Sequence, residues 1–471
     1  MSDTGVNMEQ SPQDKRKASL ALGFLLAIYL VASIDRAILG ILVQPIKEEL
    51  LLADWQLGFL TGFAFTVVYV GFGIPMARMS DKGQRVTLLA ICVSFWSIMT
   101  ALCGMAGNFV HLLLARMGVG IGESACLPAS HSLLSDYYPP LKRTKALATF
   151  GLGLPLGSLL GTLLGGFVVD HWGWRAAFHV VGLPGLLLAL LAWRMVKEPQ
   201  RGRFDTQRAE DPVHAEPKSF KEVALMMWHS PVLRHMIIAL TLTAIATSPT
   251  AGFLGAYLVR RFPISYTELG MIVALTSMLG STFATYFGGV ITQRLAQRDQ
   301  TWLLRFPAIT MAIGAPFAML GLAQSNLLAL GLLLFVGNLI HTTFLAPSYT
   351  VSHNTLPPGG RAKWVVILTI FISLIGHSTG PLLAGAANDA IAAIQFGNLA
   401  PGGFAVACPG GQGAPGAAAA IDAACRESMA DATQWVMIAF QGLAFWSAWH
   451  FYLASRAMRR SLGSRGTAVP A

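Results

Sequence analysis

Long apolar stretches, separated by short polar segments, run through most of the chain. Each is about 20 residues or longer, the length that an α-helix needs to cross the hydrocarbon core of a bilayer. Charged residues, or Pro and Gly, mark their ends. Twelve stretches are predicted as membrane-spanning helices, at residues 18–42, 56–79, 86–106, 109–134, 144–170, 176–196, 232–259, 268–294, 302–323, 327–351, 363–389 and 433–456.

Lys and Arg are distributed unequally over the segments between these stretches. If the N-terminus is cytoplasmic, the inner segments and the inner ends of the spans hold 26 of the 33 Lys and Arg residues, and the outer segments hold five. The remaining two, Arg36 and Arg116, lie well inside the membrane. The positive-inside rule therefore predicts a multi-pass protein with both termini in the cytoplasm.

Composition excludes the soluble classes. Hydrophobic residues make up 54% of the 471-residue chain and charged residues only 12%, whereas soluble domains carry about 25% charged residues. The net charge of +10 follows from the topology, so we predict a lipid bilayer and no nucleic acid as partner. The first apolar stretch is too long for the core of a cleavable signal peptide, and it is predicted to stay as the first span.

The polar segments divide the chain into two halves. The segment 197–231 is charged and contains Pro199, Pro212 and Pro217, which is typical of a linker. The predicted domains are a cytoplasmic tail at 1–17, a six-helix bundle at 18–196, the linker at 197–231, a second six-helix bundle at 232–456 and a cytoplasmic tail at 457–471. A long extracytoplasmic loop at 391–432 lies inside the second bundle.

The two halves share short sequence patterns in register. Pro128 in the fourth span corresponds to Pro347 in the tenth, and the Pro-Pro turn at 139–145 corresponds to the one at 357–363. The spacing of Gly161, Gly166 and Asp170 recurs at Gly380, Gly385 and Asp389. Weak internal symmetry of this kind is typical of transporters built from repeats. The predicted fold class is therefore an all-α polytopic membrane protein with two pseudo-symmetric six-helix bundles.

Two cysteines lie in the long outer loop. Cys408 and Cys425 face the oxidising side, where a disulfide between them is predicted; two free thiols in a flexible loop are the alternative. The other three cysteines lie in spans and are expected to pack there.

The turn after the second span carries a family motif. Asp81, Lys82, Gly83 and Arg85 resemble the signature of the major facilitator superfamily, whose first Gly is replaced here by Ala77. The resemblance implies a twelve-helix fold and a cytoplasmic gate in which the acidic and basic residues of the motif form a charge latch between helices.

Three further segments resemble the Spinster-like branch of that superfamily and its bacterial relatives. These segments are Asp35-Arg36, the run from Arg116 to Glu123, and the Pro-Pro turn before the fifth span. The resemblance implies a secondary transporter of the bacterial inner membrane that moves an amphipathic organic anion, such as a lysolipid or sphingolipid-like molecule, linked to protons. It implies alternating access, with no cofactor besides the coupling proton, and we expect a monomer.

Charges inside the predicted spans are few. Of the acidic residues, only Asp35 and Glu123 lie well within a span, where a charge costs at least ~2.5–3.5 kcal/mol. Counting rise per residue puts Asp35 and Arg116 at similar depth, with Glu123 two turns further along the face of Arg116. We therefore predict that Asp35, Glu123 and Arg116 couple transport to protons, with Arg116 alternating between the two acids. A purely structural ion pair is the alternative.

Other residues are candidates for substrate binding or packing. Four glycines at helical spacing on the fifth span are predicted to allow close helix packing, and they resemble a motif of exporters, which favours export. These are Gly153, Gly157, Gly161 and Gly165. The candidate substrate-binding residues are Arg36, Arg116, Tyr69, Trp96, Asn338, His341, Tyr349 and His377. Core packing is the alternative role for the histidines.

Other functions lack their residue patterns. Gly376–Gly380 spells the hydrolase motif Gly-x-Ser-x-Gly, but it lies within an apolar helix instead of a strand-turn-helix. No phosphate-binding loop lysine, metal-ligand spacing or paired nucleophile and base is found, so we predict neither an enzyme nor a metal site. The alternative functions are a proton-coupled symporter for sugar phosphates or small aromatic or carboxylic acids and, more distantly, a membrane sensor.

Overall fold

A computed structural model describes residues 12–204, 219–356 and 361–466, and no β-strand occurs among them. In the first part of the chain the helices are α1 (Pro12–Leu50), α2 (Asp54–Gly58), α3 (Phe65–Lys82), α4 (Arg85–Cys103), α5 (Phe109–Glu123), α6 (Cys126–Tyr137), α7 (Pro140–Gly151) and α8 (Gly153–Met195).

The second part of the chain continues the helical pattern. Its helices are α9 (Phe220–His229), α10 (Pro231–Arg261), α11 (Tyr266–Val273), α12 (Gly280–Ala296), α13 (Trp302–Leu322), α14 (Leu327–His341), α15 (Leu345–Thr355), α16 (Arg361–Thr369), α17 (Ser378–Phe396), α18 (Gly403–Ala407) and α19 (Ala419–Gly466).

Within the part of the chain that the structure describes, three π-helical turns interrupt the long helices, at Phe59–Ala64, Ala274–Leu279 and Ile370–His377. Such turns are rare and often lie at functional sites. The chain thus has irregular helix geometry inside the predicted second, eighth and eleventh spans.

Ten helices within the described residues are long and apolar enough to cross a membrane. One of them, Lys145–Met195, contains both the fifth and the sixth predicted spans. These are separated at Gly173, whose φ of +76° is rarely adopted by other residues. The predicted twelfth span lies within α19, which is not among these ten helices. The all-helical membrane fold class predicted from hydropathy is confirmed.

The contacts divide the chain into two compact units. Unit 1 comprises Met1–Leu39 and Ala64–Asp211, and unit 2 comprises Gly40–Phe63 and Pro212–Ala471. The chain therefore changes unit inside α1 and at the end of the π-helical turn Phe59–Ala64. The bundle and linker boundaries drawn from the sequence stay predictions.

Each unit has its own apolar core. In unit 1, Trp96, Val119 and Leu133 belong to one buried cluster built from α1 and α4 to α8. In unit 2, Leu304 and Trp364 belong to a cluster that joins α9, α10, α13, α15, α16 and α19. The apolar face of each of these helices is therefore packed against other helices of the same unit.

Candidate functional site

Four charged side chains form two ion pairs inside unit 1. Asp35 and Arg36 are consecutive residues of α1, and Arg116 and Glu123 lie two turns apart on α5. Arg116 Nη1 donates to the two carboxylate oxygens of Asp35 at 3.3 and 3.2 Å, while Arg36 Nη1 donates to Glu123 Oε2. Each acid is thus compensated by an arginine of the other helix.

This pairing differs from the sequence prediction that Arg116 serves both acids. Successive residues of a helix are rotated by about 100°, so the side chains of Asp35 and Arg36 leave α1 in different directions and reach different residues of α5. Arg116 is occupied by Asp35, and Glu123 is reached by Arg36. Arg36, predicted as a substrate contact, is therefore also the direct partner of the predicted proton-binding residue.

The two pairs differ in exposure. The side chains of Asp35, Arg116 and Glu123 are 2% exposed or less, whereas that of Arg36 is 28% exposed. Two buried atoms of the site, Glu123 Oε1 and Arg116 Nε, have no hydrogen-bond partner among the described residues. Such atoms are uncommon because a buried polar group without a partner costs about 1–3 kcal/mol. The site is therefore incompletely satisfied in this state.

Aromatic side chains surround the charges. Tyr69 stacks on Phe65 with ring centres 5.4 Å apart, and Tyr29 stacks on Phe150 at 4.8 Å. The guanidinium of Arg116 lies 5.8 Å from the centre of the Phe65 ring. Both tyrosines interact electrostatically with Arg36. The partly exposed cation of the site thus has two tyrosines within electrostatic reach, each stacked on a phenylalanine.

The fourth predicted span is broken next to the site. Helix α5 ends at Glu123 and α6 begins at Cys126, with Pro128 in its first turn. Because proline has no amide hydrogen, Pro128 cannot donate to the carbonyl of Ser124, which favours the break. In unit 2 the tenth predicted span is broken in the same way between α14 and α15, ahead of Pro347. Broken helices of this kind line binding sites in many transporters.

The glycines predicted for packing hold α8 against α1 beside the charged pairs. A Cβ atom on Gly157 would lie 2.5 Å from the carbonyl oxygen of Leu30, and one on Gly161 would lie 2.8 Å from that of Ile34. Gly153 faces Tyr29 in the same manner, and Gly165 is also buried. This close approach fixes the position of the α1 turn that carries Asp35 and Arg36.

In the motif between α3 and α4, predicted to be cytoplasmic, Arg85 is the central residue. Its side chain is 1% exposed, and it pairs with Asp136 of α6 and, at 2.6 Å through Nε, with Glu198. It also donates to the carbonyl oxygen of Ser132 at 3.1 Å. Gly83 ends α3. The side chains of Asp81 and Lys82 lie outside the described part, so their predicted role stays a prediction.

A second charged cluster lies in unit 2, where Asp54 is the central acid. Arg260 donates to both oxygens of Asp54 at 2.9 Å, and Lys47 Nζ lies 2.5 Å from Oδ1. The amide of Asn388 donates to Oδ2 at 3.0 Å. Asp389 accepts from the backbone N–H of Asp54 at 3.0 Å and so caps the start of α2. We refer to these five residues as the Asp54 cluster.

Most residues of the Asp54 cluster, and the acidic partners of Arg85, were not identified from the sequence. Asp54 and Lys47 lie near predicted helix ends, where charges are ordinary, and Arg260 is 206 residues away from Asp54. Asp389 was noted in the sequence only as part of the repeat. Asp136 and Glu198, the partners of Arg85, were missed for the same reason. The local sequence carries no signal for these residues; the close approach of Gly385 to the backbone of Asp54 is seen only in the structure.

The remaining substrate-binding candidates occupy varied positions. Trp96 is 1% exposed in the unit 1 core. In unit 2, Asn338 donates to the carbonyl of Thr276 at 3.3 Å, and Tyr349 packs against the core. His341 is buried at the end of α14, and neither ring nitrogen has a hydrogen-bond partner among the described residues. His377 ends the π-helical turn Ile370–His377 and is exposed.

Among the described residues, no group of three or more His, Cys, Asp or Glu side chains has the arrangement of a metal site. Cys408 and Cys425 are joined by a disulfide, with their Cα atoms 5.5 Å apart. The remaining cysteines are free and buried, as in apolar packing.

Comparison with known proteins assigns the fold. A profile of the Major Facilitator Superfamily matches residues 25–408. The chain is 28% identical to a bacterial homologue of the human lysosomal transporter Spinster, solved in an inward-facing and unoccupied conformation. The two folds agree with a TM-score of 0.85 over 96% of this chain and 99% of that one.

Curated relatives are also transporters. The chain is 29% identical over 381 residues to an MFS-type efflux pump of Mycolicibacterium smegmatis (strain ATCC 700084 / mc(2)155), covering 80% of this chain and 86% of the relative. It is 27% identical over 368 residues to the cis,cis-muconate transport protein of Acinetobacter baylyi (strain ATCC 33305 / BD413 / ADP1), covering 75% and 86%.

A third relative is protein spinster homolog 1 of Xenopus laevis. The two chains are 25% identical over 392 residues, which cover 80% of this chain and 74% of the relative. Because these relatives and the solved neighbour are transporters, the prediction that the chain is not an enzyme is confirmed. The chain belongs to the Major Facilitator Superfamily, in which it is a multi-pass membrane transporter of the Spinster-like type.

Proposed function

We propose that this transporter moves an amphipathic organic anion together with a proton by alternating access. The observation that carries the proposal is the pair formed by Arg36 and Glu123. The carboxylate is fully buried, whereas its cation is 28% exposed. An anion that enters unit 1 meets Arg36 first, because Arg116 is buried against Asp35.

Binding of the anion then changes the charge state of the site. When the guanidinium of Arg36 turns to a substrate carboxylate or phosphate, Glu123 loses its direct cation. A buried carboxylate without compensation is costly, so uptake of a proton becomes favourable. The proton is supplied by water on the side to which the site is open. The loaded site then holds Arg36 with the anion and a neutral Glu123, which adds no net charge to the membrane interior.

The second ion pair keeps the rest of the site compensated during this exchange. Asp35 stays with Arg116, whose guanidinium also faces the Phe65 ring. Release of the anion returns Arg36 to Glu123, and the proton leaves. In this scheme Arg36 replaces Arg116 as the arginine that alternates, which refines the hypothesis drawn from the sequence.

The surroundings of Arg36 support a substrate with an apolar part. Tyr29 and Tyr69 interact electrostatically with the guanidinium, and their rings stack on Phe150 and Phe65. A lysolipid or sphingolipid-like anion meets both requirements, and the glycine pattern of the fifth span favours export. An outward gradient of the anion carries a proton out with it in this scheme. Residence in a bacterial inner membrane, cytoplasmic termini and a monomeric state stay predictions.

Small carboxylic acids are the second candidate class. The relative from Acinetobacter baylyi is described as a cis,cis-muconate transport protein, and the exchange at Arg36 requires only an anionic group. A small dicarboxylate uses the same step but gains less from the aromatic walls. The two classes are therefore separated by the dependence of transport on the apolar part of the probe.

The test uses the full chain in proteoliposomes that contain a pH-sensitive dye. Lysophosphatidylglycerol, cis,cis-muconate and glucose 6-phosphate are added outside in turn. We expect the internal pH to fall with lysophosphatidylglycerol, and Glu123→Gln to abolish the fall while radiolabelled probe still exchanges. Glu427→Gln, at an exposed acid of α19, is the matched control and should behave like the wild type. Proton movement unchanged in Glu123→Gln would contradict the coupling, and a response to muconate alone would favour the second class.

A further inference from the structure

The outer loop between α17 and α19, residues 397–418, has an ordered fold of its own. The Cys408–Cys425 disulfide ties it to the start of α19. Phe396, Ala407 and both cysteines are buried together. The N–H of Gly413 also donates to Asp422 at 2.7 Å. The loop is therefore held in one conformation by a covalent bond, a small apolar core and a polar contact.

One turn of this loop, Pro409–Gln412, lies on the C-terminal end of α1. A Cβ atom on Gly411 would lie 3.1 Å from Cε and 3.2 Å from Nζ of Lys47, and one on Gly410 would lie 3.2 Å from the Lys47 carbonyl oxygen. Both glycines have a positive φ, which is +67° for Gly410 and +81° for Gly411. Only glycine combines this backbone conformation with so close an approach.

The turn covers the ion pair that anchors residues 40–63. The Lys47 side chain is 2% exposed and the Asp54 side chain 0% exposed. Asp54 is bound in turn by Arg260 of α10 and Asn388 of α17. A pair shielded from water is several times stronger than the same pair in contact with solvent. Removing the cover therefore weakens the attachment of Lys47 without deleting a charge.

We propose that residues 397–418 act as a clasp that keeps the Asp54 cluster dry and so keeps residues 40–63 attached to α10 and α17. The closed disulfide holds the turn Pro409–Gln412 in place over Lys47. Residues 40–63 belong to the predicted six-helix bundle at 18–196, although their contacts are with α10 and α17. In alternating access, on which this inference rests, they detach from α10 and α17 and reattach once per cycle. The clasp sets how readily they detach, so it controls the rate at which the outer side of the site opens.

The disulfide makes the clasp sensitive to reductants. A dithiol reductant breaks the sulfur–sulfur bond, transfers two electrons and two protons to give the thiols of Cys408 and Cys425, and becomes a cyclic disulfide. The loop then keeps its small apolar core, the Asp422 contact and the hydrogen bond from Arg426 to Gln412 at 3.2 Å, but no covalent bond. Reduction therefore makes the outer end of α1 easier to detach.

Amide hydrogen exchange of residues 40–56 in the full-length protein measures the attachment directly. We expect Gly411→Ala and the double variant Cys408→Ser/Cys425→Ser to raise the exchange rate of this segment about tenfold, and dithiothreitol to do the same to the wild type. Gly416→Ala is the matched control, because Gly416 has a φ of +83° in the same loop and no neighbour within 4 Å of an added Cβ. It should leave the exchange of residues 40–56 unchanged.

A second comparison separates the clasp from general loosening of the loop. Gly411→Ala is combined with Lys47→Met, and the two effects on exchange should not add, because both act on the same pair. Unchanged exchange of residues 40–56 in Gly411→Ala and in the double cysteine variant would overturn the proposal. An equal effect of Gly416→Ala would also overturn it. Glu123→Gln should keep wild-type protection, so failure of the proton coupling and failure of the clasp give different results.

Discussion

The buried carboxylates of unit 1 and of the Asp54 cluster in unit 2 are compensated by their partners to different extents. In unit 2, both oxygens of Asp54 are bound by Arg260, and Lys47 and Asn388 add further donors. In unit 1, Glu123 uses one oxygen only, and its cation is partly exposed. A saturated acid is costly to disturb, whereas an unsaturated one can exchange partners. The comparison indicates that the Asp54 cluster holds a conformation and that Glu123 changes its state.

The largest effect is expected where the saturated acid is removed. Asp54→Ala leaves Lys47 and Arg260 buried without their shared counter-charge, which should cost about 3–5 kcal/mol of unfolding free energy. Asp431→Ala is the control, since that acid forms an exposed pair with Arg261 at 3.6 Å and should cost no more than ~1 kcal/mol. Thermal unfolding in detergent compares the two, and equal midpoints would remove the distinction between the regions.

A smaller loss is expected when α8 is pushed away from α1. Gly157→Ala places a Cβ 2.5 Å from the Leu30 carbonyl, and overpacking of this kind costs about 1–3 kcal/mol. Gly23→Ala is the control on α1, where an added Cβ meets no neighbour within 4 Å, and helix propensity should make it neutral or slightly stabilising. Thermal midpoints check both. A stable Gly157→Ala would mean that the close contact does not fix the Asp35–Arg36 turn.

Removal of the charge of Glu123, whose hydrogen bonding is incomplete, should have little effect on stability. Glu123→Gln removes a charge whose partner, Arg36, can reach water, so we expect the unfolding free energy to change by less than about 1 kcal/mol. Asp54→Asn is the opposed variant and should be clearly less stable than Glu123→Gln. The same thermal measurement applies to both. A larger loss for Glu123→Gln than for Asp54→Asn would reverse the comparison.

The smallest expected effect is the change at low pH in the stability that Asp422 contributes. The Gly413 N–H and the Arg426 guanidinium lower the pKa of Asp422 below its usual 3.8. Because the folded pKa is the lower one, the contribution of Asp422 is complete above the unfolded pKa of 3.8 and is lost as pH falls through the lowered folded pKa. The midpoint difference between wild type and Asp422→Asn should therefore be constant from about pH 5 to 8 and shrink near pH 3. A difference that grows on acidification would contradict this assignment.

The spans and the intramembrane charges were predictable from the sequence because both follow from the cost of placing polar groups in lipid. Asp35, Arg36, Arg116 and Glu123 were identified in this way. Their pairing was not, because it depends on how far α1 and α5 are rotated about their axes. That rotation is set by contacts such as Gly157 with Leu30, which have no signature in a hydropathy pattern.

The Asp54 cluster shows the other limit of sequence reasoning. Charges at helix ends are common, and nothing in the local sequence distinguishes Asp54 or Lys47 from solvated residues. Their burial depends on Arg260 and Asn388, which are 206 and 334 residues away from Asp54. The loop turn at Gly411 that covers Lys47 is equally remote along the chain. The burial of Asp54 and Lys47 therefore depends on long-range packing and could not be predicted from the residue types alone.

The central claim is that an anion takes Arg36 from Glu123 and thereby protonates it. Calorimetric titration of the purified protein with lysophosphatidylglycerol, in two buffers of different ionisation enthalpy, counts the protons taken up on binding. We predict an uptake approaching one proton per anion in the wild type near neutral pH, and none in Glu123→Gln, which should still bind the probe. Binding without proton uptake in the wild type, or equal uptake in Glu123→Gln, would contradict the account.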